Sequence, residues 1–216
     1  MGYVLKCIMM GQGSPSGNPT IGKAIGDSTI APGTGKTKGV PDWVLTGAEI
    51  NAGYVFRNQA VGGHTINSQL TVWRNDPNKL EYDYIVIQVG LNDLNGSNPQ
   101  TPITNYQNLV NEVRSGIKST AKIIVCCMLP CRQRFIDLNI VNGQTNWEAL
   151  NNAIMTTITN VDARVDSHLA ILDDGTSNLK AMYDSGDHIH ENDEGAKVIA
   201  NAWRIKLVEM GLLTVA

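Results

Sequence analysis

Ser28 stands where a serine can become a nucleophile. A short apolar run, Thr20 to Gly26, ends in Gly26-Asp27-Ser28 and then breaks into a loop rich in Gly, Pro and Thr. A buried strand delivers a small polar residue to the carboxyl edge of a sheet in this way, and ligands of open α/β sheets bind at that edge. A serine hydroxyl is weak alone. It needs a base, a group that orients the base, and donors for the oxyanion. The four histidines are His64, His168, His188 and His190. His190 follows Asp187 at a spacing of three. In a tight turn that spacing lets the carboxylate reach the imidazole, fix its tautomer and stabilise the imidazolium that forms when it takes the serine proton. His188 is adjacent to Asp187 and points elsewhere in most turn geometries. For the oxyanion, the candidates are the N–H of Ser28, the unshielded N–H of Gly63 and the side-chain amide of Asn92. Each also has a plainer meaning. Gly63 can be a turn glycine, and Asn92-Asp-Leu-Asn-Gly96 is turn-prone in any protein.

The elements that must position these groups alternate along the chain. Strands are expected at Thr20–Gly26, Tyr54–Asn58, Asp83–Gly90, Lys122–Leu129 and His168–Asp173. Asp83–Gly90 is an unbroken β-branched run of the fully buried type. Helices are expected at Val40–Ile50, with Pro41 in the first turn, in a short segment through Leu70, and at Tyr106–Ile117. Two more are expected at Trp147–Val165 and about Asp193–Met210, the last capped by Gly211. Five strands alternating with helices predict an α/β fold, a parallel sheet covered on both faces. The loops after the strands then share one edge, which brings Ser28, Gly62-Gly63, Asn92 and the Asp187–His190 loop together. Residues 1–19 read as an N-terminal extension, with a candidate strand at Tyr3–Met9 followed by turn chemistry. Residues 20–216 read as one catalytic domain.

Composition narrows the function classes. The chain has 216 residues and a formal net charge of −3, with no basic surface suited to nucleic acid. No apolar run approaches the length of a membrane span. The N-terminal apolar stretch is short, is broken by Lys6 and does not form a signal peptide. Among the four cysteines, Cys126 and Cys127 lie in the apolar run Ile123–Leu129, and no CxxC pair occurs. They read as buried free thiols, which favours a soluble protein in a cytoplasmic setting.

Four blocks together resemble the SGNH (GDSL-like) hydrolases. They are Gly26-Asp-Ser28, Asn58-Gln-Ala-Val-Gly-Gly-His-Thr65, Gly90-Leu-Asn-Asp93 and Asp187-His-Ile-His190. They occur in the family's order and cover nearly the whole chain, from about Thr20 to Gly211. The resemblance implies a three-layer α/β/α, flavodoxin-like fold with a five-stranded parallel sheet. It also implies Ser28 as nucleophile, Asp187 and His190 as the rest of the triad, and Ser28, Gly63 and Asn92 as the oxyanion hole. No metal or organic cofactor is implied. There are departures. Thr29 stands where Leu or Ile is common, His188 stands where many members carry a small residue, and either Gly62 or Gly63 can be the donor. Spacing favours His190 over His188, and alignment on Asn58 and Thr65 favours Gly63.

Other readings rank lower. Ala31–Lys38 resembles a phosphate loop, but Ile30 stands where the first glycine is required. Asp187–Glu191 clusters possible metal ligands without support from a second cluster. Trp43, Trp73 and Trp147 can stack on sugar but are expected in the core. The expected function is a serine esterase acting on short-chain esters, with O-acetyl groups on carbohydrate as the favoured case. The alternative is a catalytically silent carbohydrate-binding or structural module of the same fold. The expected partner is a small-molecule or carbohydrate ester, and the oligomeric state is not encoded in any motif.

Overall fold

The central strands form because their side chains alternate between two apolar layers. In the computed structural model, which describes residues 18–173 and 175–215, five parallel strands make one sheet. They are β1 (Ile21–Gly26), β2 (Val55–Asn58), β3 (Tyr84–Gln88), β4 (Lys122–Cys126) and β5 (Ala163–Val165). Their order is β2-β1-β3-β4-β5. Every residue of β3 is buried, as expected for a central strand with both faces covered. Ile85, Ile87, Ile123 and Val125 face one core, together with Leu70, Leu109, Val113 and Leu150. Those partners belong to α2 (Ile66–Arg74), α3 (Gln100–Gly116) and α5 (Gly143–Thr156), which follow α1 (Gly47–Asn51) and flank the six-residue α4 (Arg132–Asp137) in the chain. Tyr84, Val86, Ile124 and Cys126 face the other core, with Ile199, Trp203 and Leu207 of α6 (Asp193–Glu209). The period of two along each strand thus produces the three layers.

The order places a topological switch between β1 and β3, the position at which an open α/β sheet leaves a crevice beyond its strand ends. Ser28 follows β1 and Asn92 follows β3, so both lie at that crevice.

Several expected elements differ. The helix at Val40–Ile50 is two pieces, a 3-10 turn at Val40–Trp43 and α1. Thr46 restarts the helix: its hydroxyl accepts the Glu49 N–H while the Glu49 carboxylate accepts the Thr46 N–H at 2.9 Å, a reciprocal capping box. The helix expected at Trp147–Val165 starts earlier and ends at Thr156. Asn160, at φ 64°, turns the chain back and frees Ala163–Val165 to pair with β4. The fifth sheet strand is therefore β5, not His168–Asp173. Leu172–Asp173 (β6) instead pairs antiparallel with Asn178–Leu179 (β7) in a separate ribbon. Helix α3 begins at Gln100, six residues before the expected Tyr106, and α4 is an addition. The candidate strand at 3–9, and all of the proposed extension except residues 18 and 19, lie outside the described residues. Among those described, no helix is long and apolar enough to cross a membrane.

Candidate active site

The turn that presents Ser28 is built by its neighbours. Gly26 must lack a side chain, because a Cβ there would meet the Gln88 carbonyl oxygen at 2.7 Å and the Ile30 side chain closer still. Asp27, buried beside it, accepts the N–H and hydroxyl of Thr29 through Oδ1. Its Oδ2 accepts the N–H groups of Gly90 and Leu91 at 3.1 and 3.3 Å. Thr29, the departure noted in the first block, thus serves as a local donor to Asp27. The Asp27 carbonyl closes the turn by accepting from Ile30 and Ala31. Ser28 stands at its apex with its hydroxyl facing the loop before α6.

That loop carries His190. Nε2 of His190 lies 2.8 Å from Oγ of Ser28, and Nδ1 of His190 lies 2.6 Å from Oδ2 of Asp187. Oδ1 of Asp187 accepts the N–H of His190 at 2.8 Å and of Ile189 at 3.1 Å. Burial alone would raise the Asp187 carboxyl, but the bond from the His190 ring and these N–H groups outweigh it and hold it below the ordinary carboxylate range. His188 faces away. It sits at φ 63° and its Nδ1 meets Asp184 at 2.8 Å. Asn192 fixes the end of the loop, accepting the N–H groups of Glu194 and Gly195 as the N-cap of α6.

The other two blocks close around the serine. Val61 donates its N–H to the Gly26 carbonyl, and His64 donates to Val61, so the glycine turn sits against the end of β1. A Cβ on Gly62 would stand 3.8 Å from that of Ser28. Gly63 is required for its backbone, at φ 77°, since a Cβ there would meet open space. Among the described residues, neither glycine gives its N–H to another backbone group. The Asn92 amide donates one N–H to the His64 carbonyl at 3.0 Å, which ties the third block to the second and leaves its other N–H for a ligand. Next to it, Asp93 accepts the Ile66 N–H at the start of α2, and burial pushes its carboxyl up to about 6. A cavity of about 400 Å³ opens beside Asn92, lined by Thr65, Asp93, Asn95, Asn98, Thr101 and Asn105 among others.

The structure thus joins Ser28, His190 and Asp187 in one hydrogen-bonded relay and sets the Gly62-Gly63 turn beside Ser28, with Asn92 bonded to that turn. Two further charged residues at the site belong to segments whose sequence suggests other roles, Lys36 in the phosphate-loop-like Ala31–Lys38 and Glu191 at the end of the Asp187–Glu191 cluster. Lys36 donates to the Ser28 carbonyl at 3.0 Å, and its ammonium lies 3.0 Å from Glu191, with both side chains fully enclosed. Burial pushes the Glu191 carboxyl up to about 7 against the pull of Lys36. Trp73 and Trp147 are buried in the core, while Trp43 is flanked by Lys38 and Lys197. One group of metal-ligand type lies together among the described residues, Cys127 with Asp166 and His168. Its members engage one another, and burial together with the Asp166 charge pushes the Cys127 thiol up to about 12.

Comparison with known proteins bears on the fold and the family. No curated protein compared with the chain matches it. Among solved structures, a GDSL-like lipase from Bacteroides thetaiotaomicron superposes with a TM-score of 0.67 at 17% identity, over 92% of this chain and 93% of that one. A lipase/acylhydrolase from Enterococcus faecalis gives a TM-score of 0.67 at 16% identity, over 88% and 96%. A carbohydrate esterase of family 3 from Talaromyces cellulolyticus gives 0.63 at 20% identity, over 88% and 97%. These likenesses carry the fold. The sequence model of the GDSL-like lipase/acylhydrolase family matches residues 24–198, a span that runs from within β1 into α6, and the chain belongs to that family.

Proposed function

We propose that the protein is a serine esterase of short-chain carboxylic esters, with O-acetyl groups on carbohydrate as its natural targets. The observation that carries this reading is the continuous relay from Ser28 Oγ through His190 to Asp187. His190 takes the serine proton as Oγ attacks the ester carbonyl, and Asp187, still ionised at neutral pH, stabilises the imidazolium. The N–H groups of Ser28 and Gly63 and the free N–H of Asn92 receive the developing oxyanion. His190 then returns the proton to the leaving alcohol. In the second half, it deprotonates the water that releases the acyl group from Ser28.

Polar groups lining the cavity beside Asn92 support this substrate class. Asn95, Asn98, Thr101 and Asn105 offer amides and hydroxyls beside Asn92. Such groups can exchange hydrogen bonds with a hydroxylated leaving group. The fold shared with a carbohydrate esterase is consistent with this choice. The test is hydrolysis of p-nitrophenyl esters of increasing chain length, wild type beside Ser28→Ala, followed by acetylated oligosaccharides. Turnover confined to acetate and butyrate and lost in Ser28→Ala supports the reading. Turnover that rises with chain length redirects it to lipids. A wild type inert on every ester favours the silent binding module.

A further inference from the structure

The hairpin Gly33–Lys36 has no counterpart in the relay, yet it is built to place one charge. Gly33 and Lys36 exchange backbone hydrogen bonds. Gly33, Thr34 and Gly35 all have positive φ, at 95°, 35° and 82°, which folds the tip tightly enough to swing Lys36 back under Ser28. The tip is docked on the loop of the base. A Cβ on Gly35 would meet the Cβ of Ser185 well inside contact distance, and Thr37 donates its N–H and hydroxyl to the Asp193 carboxylate, each at 2.8 Å.

We infer that Lys36 and Glu191 are positioning residues, a buried ion pair that sets the distance between nucleophile and base. The path closes on itself. Lys36 Nζ holds the Ser28 carbonyl at 3.0 Å and the Glu191 carboxylate at 3.0 Å. Glu191 is covalently joined to His190, whose Nε2 returns to Ser28 Oγ at 2.8 Å. The Ser28 backbone is thus tied to the His190 backbone from beneath, and the Oγ–Nε2 bond closes the same ring from above. The loop of the base is braced separately, by Ser185 N–H to the His190 carbonyl at 2.9 Å and Asn192 N–H to the Tyr183 carbonyl at 2.8 Å, so moving Glu191 moves His190 with it. A fully enclosed ion pair is an expensive way to gain stability, since apolar residues of similar size usually serve as well. Its value here is geometric. The ammonium reaches both loops at once, which no apolar side chain can do.

This inference rests on the esterase reading, and the experiment separates the two. The double variant Lys36→Met/Glu191→Met is compared with wild type, Ser28→Ala, Glu191→Met and Glu191→Gln. Readouts are melting temperature, kcat and KM on p-nitrophenyl acetate, and the rate at which a fluorophosphonate labels Ser28. The double variant is expected to unfold cooperatively near the wild-type temperature while kcat and labelling fall about 10- to 100-fold and KM moves little, as for a misaligned nucleophile. Glu191→Gln keeps an acceptor for Lys36 and is expected to recover most of the kcat that Glu191→Met loses. A folded double variant with wild-type kcat overturns the positioning role. If the double variant does not fold, equal kcat in Glu191→Met and Glu191→Gln overturns it. Turnover that survives Ser28→Ala refutes the esterase reading instead, whatever the pair does.

Discussion

Asp27, the residue before Ser28, accepts the Gly90 N–H at 3.1 Å between the ends of β1 and β3. The same oxygen takes the Leu91 N–H, and the other oxygen takes both donors of Thr29. One carboxylate therefore joins the end of β1 to the start of the loop that carries Asn92.

Asp27→Asn tests that join. An amide presents an N–H₂ to donors where Asp27 presented an acceptor, so at least one buried N–H loses its partner. The expected cost is about 1–3 kcal/mol of stability, read from urea unfolding, with kcat reduced alongside because Ser28 and Asn92 lose their common anchor. Unchanged stability would show that the Asp27 contacts are replaceable.

The two neighbouring histidines are predicted to differ sharply. His190→Ala removes the proposed base and should lower kcat about 10⁴-fold or more. His188→Gly removes only the exposed contact with Asp184 and relieves a side-chain-bearing residue from φ 63°. Its kcat on p-nitrophenyl acetate is expected within about threefold of wild type. The opposite ranking would move the base to His188.

Asn92→Ala deletes the proposed oxyanion donor and the tie to the His64 carbonyl at 3.0 Å. A loss of about 10²- to 10³-fold in kcat with little change in KM is expected. A change confined to KM would place Asn92 in substrate binding instead.

Acid stability should depend on Glu49. This buried carboxylate accepts from Arg204 at 2.6 Å and from Thr214 N–H at 3.0 Å. Burial opposes its charge, but Arg204, Thr46 and Thr214 outweigh burial and bring its carboxyl from 4.5 down to about 2. Because the folded value is depressed, the stabilisation is present above about pH 4.5 and is lost as pH falls towards 2. Urea midpoints measured from pH 6 to pH 2 should fall less steeply in Glu49→Gln than in wild type. Parallel curves for the two proteins would rule this out.

The parts that were legible in the sequence are those written in local pattern. The β-branched run Asp83–Gly90 can only be a doubly covered strand, and β3 is buried throughout. Ser28 and the Asp187/His190 spacing were readable because strand ends and tight turns constrain which side chains meet. Strand β5 was not readable. It has three residues, one of them Arg164, whose side chain caps the carbonyls of Ile154 and Ile158. No apolar run marks it, whereas His168–Asp173 carries a convincing run that only a two-residue ribbon uses. The pairing of Lys36 with Glu191 was not readable for another reason. Charged side chains are ordinarily solvated, and nothing local signals that two of them, far apart in the chain, are enclosed together.

The relay also has a kinetic meaning. Ser28 and His190 are separated by 162 positions, and the chain between them supplies four of the five sheet strands. Loop closure over so long a segment comes late, after local helices and neighbouring strands have formed. In a refolding experiment, helical signal should therefore return before hydrolysis does. Turnover is then a clock for the final docking of α6, and it reports assembly of the whole sheet from a single bond between a hydroxyl and an imidazole.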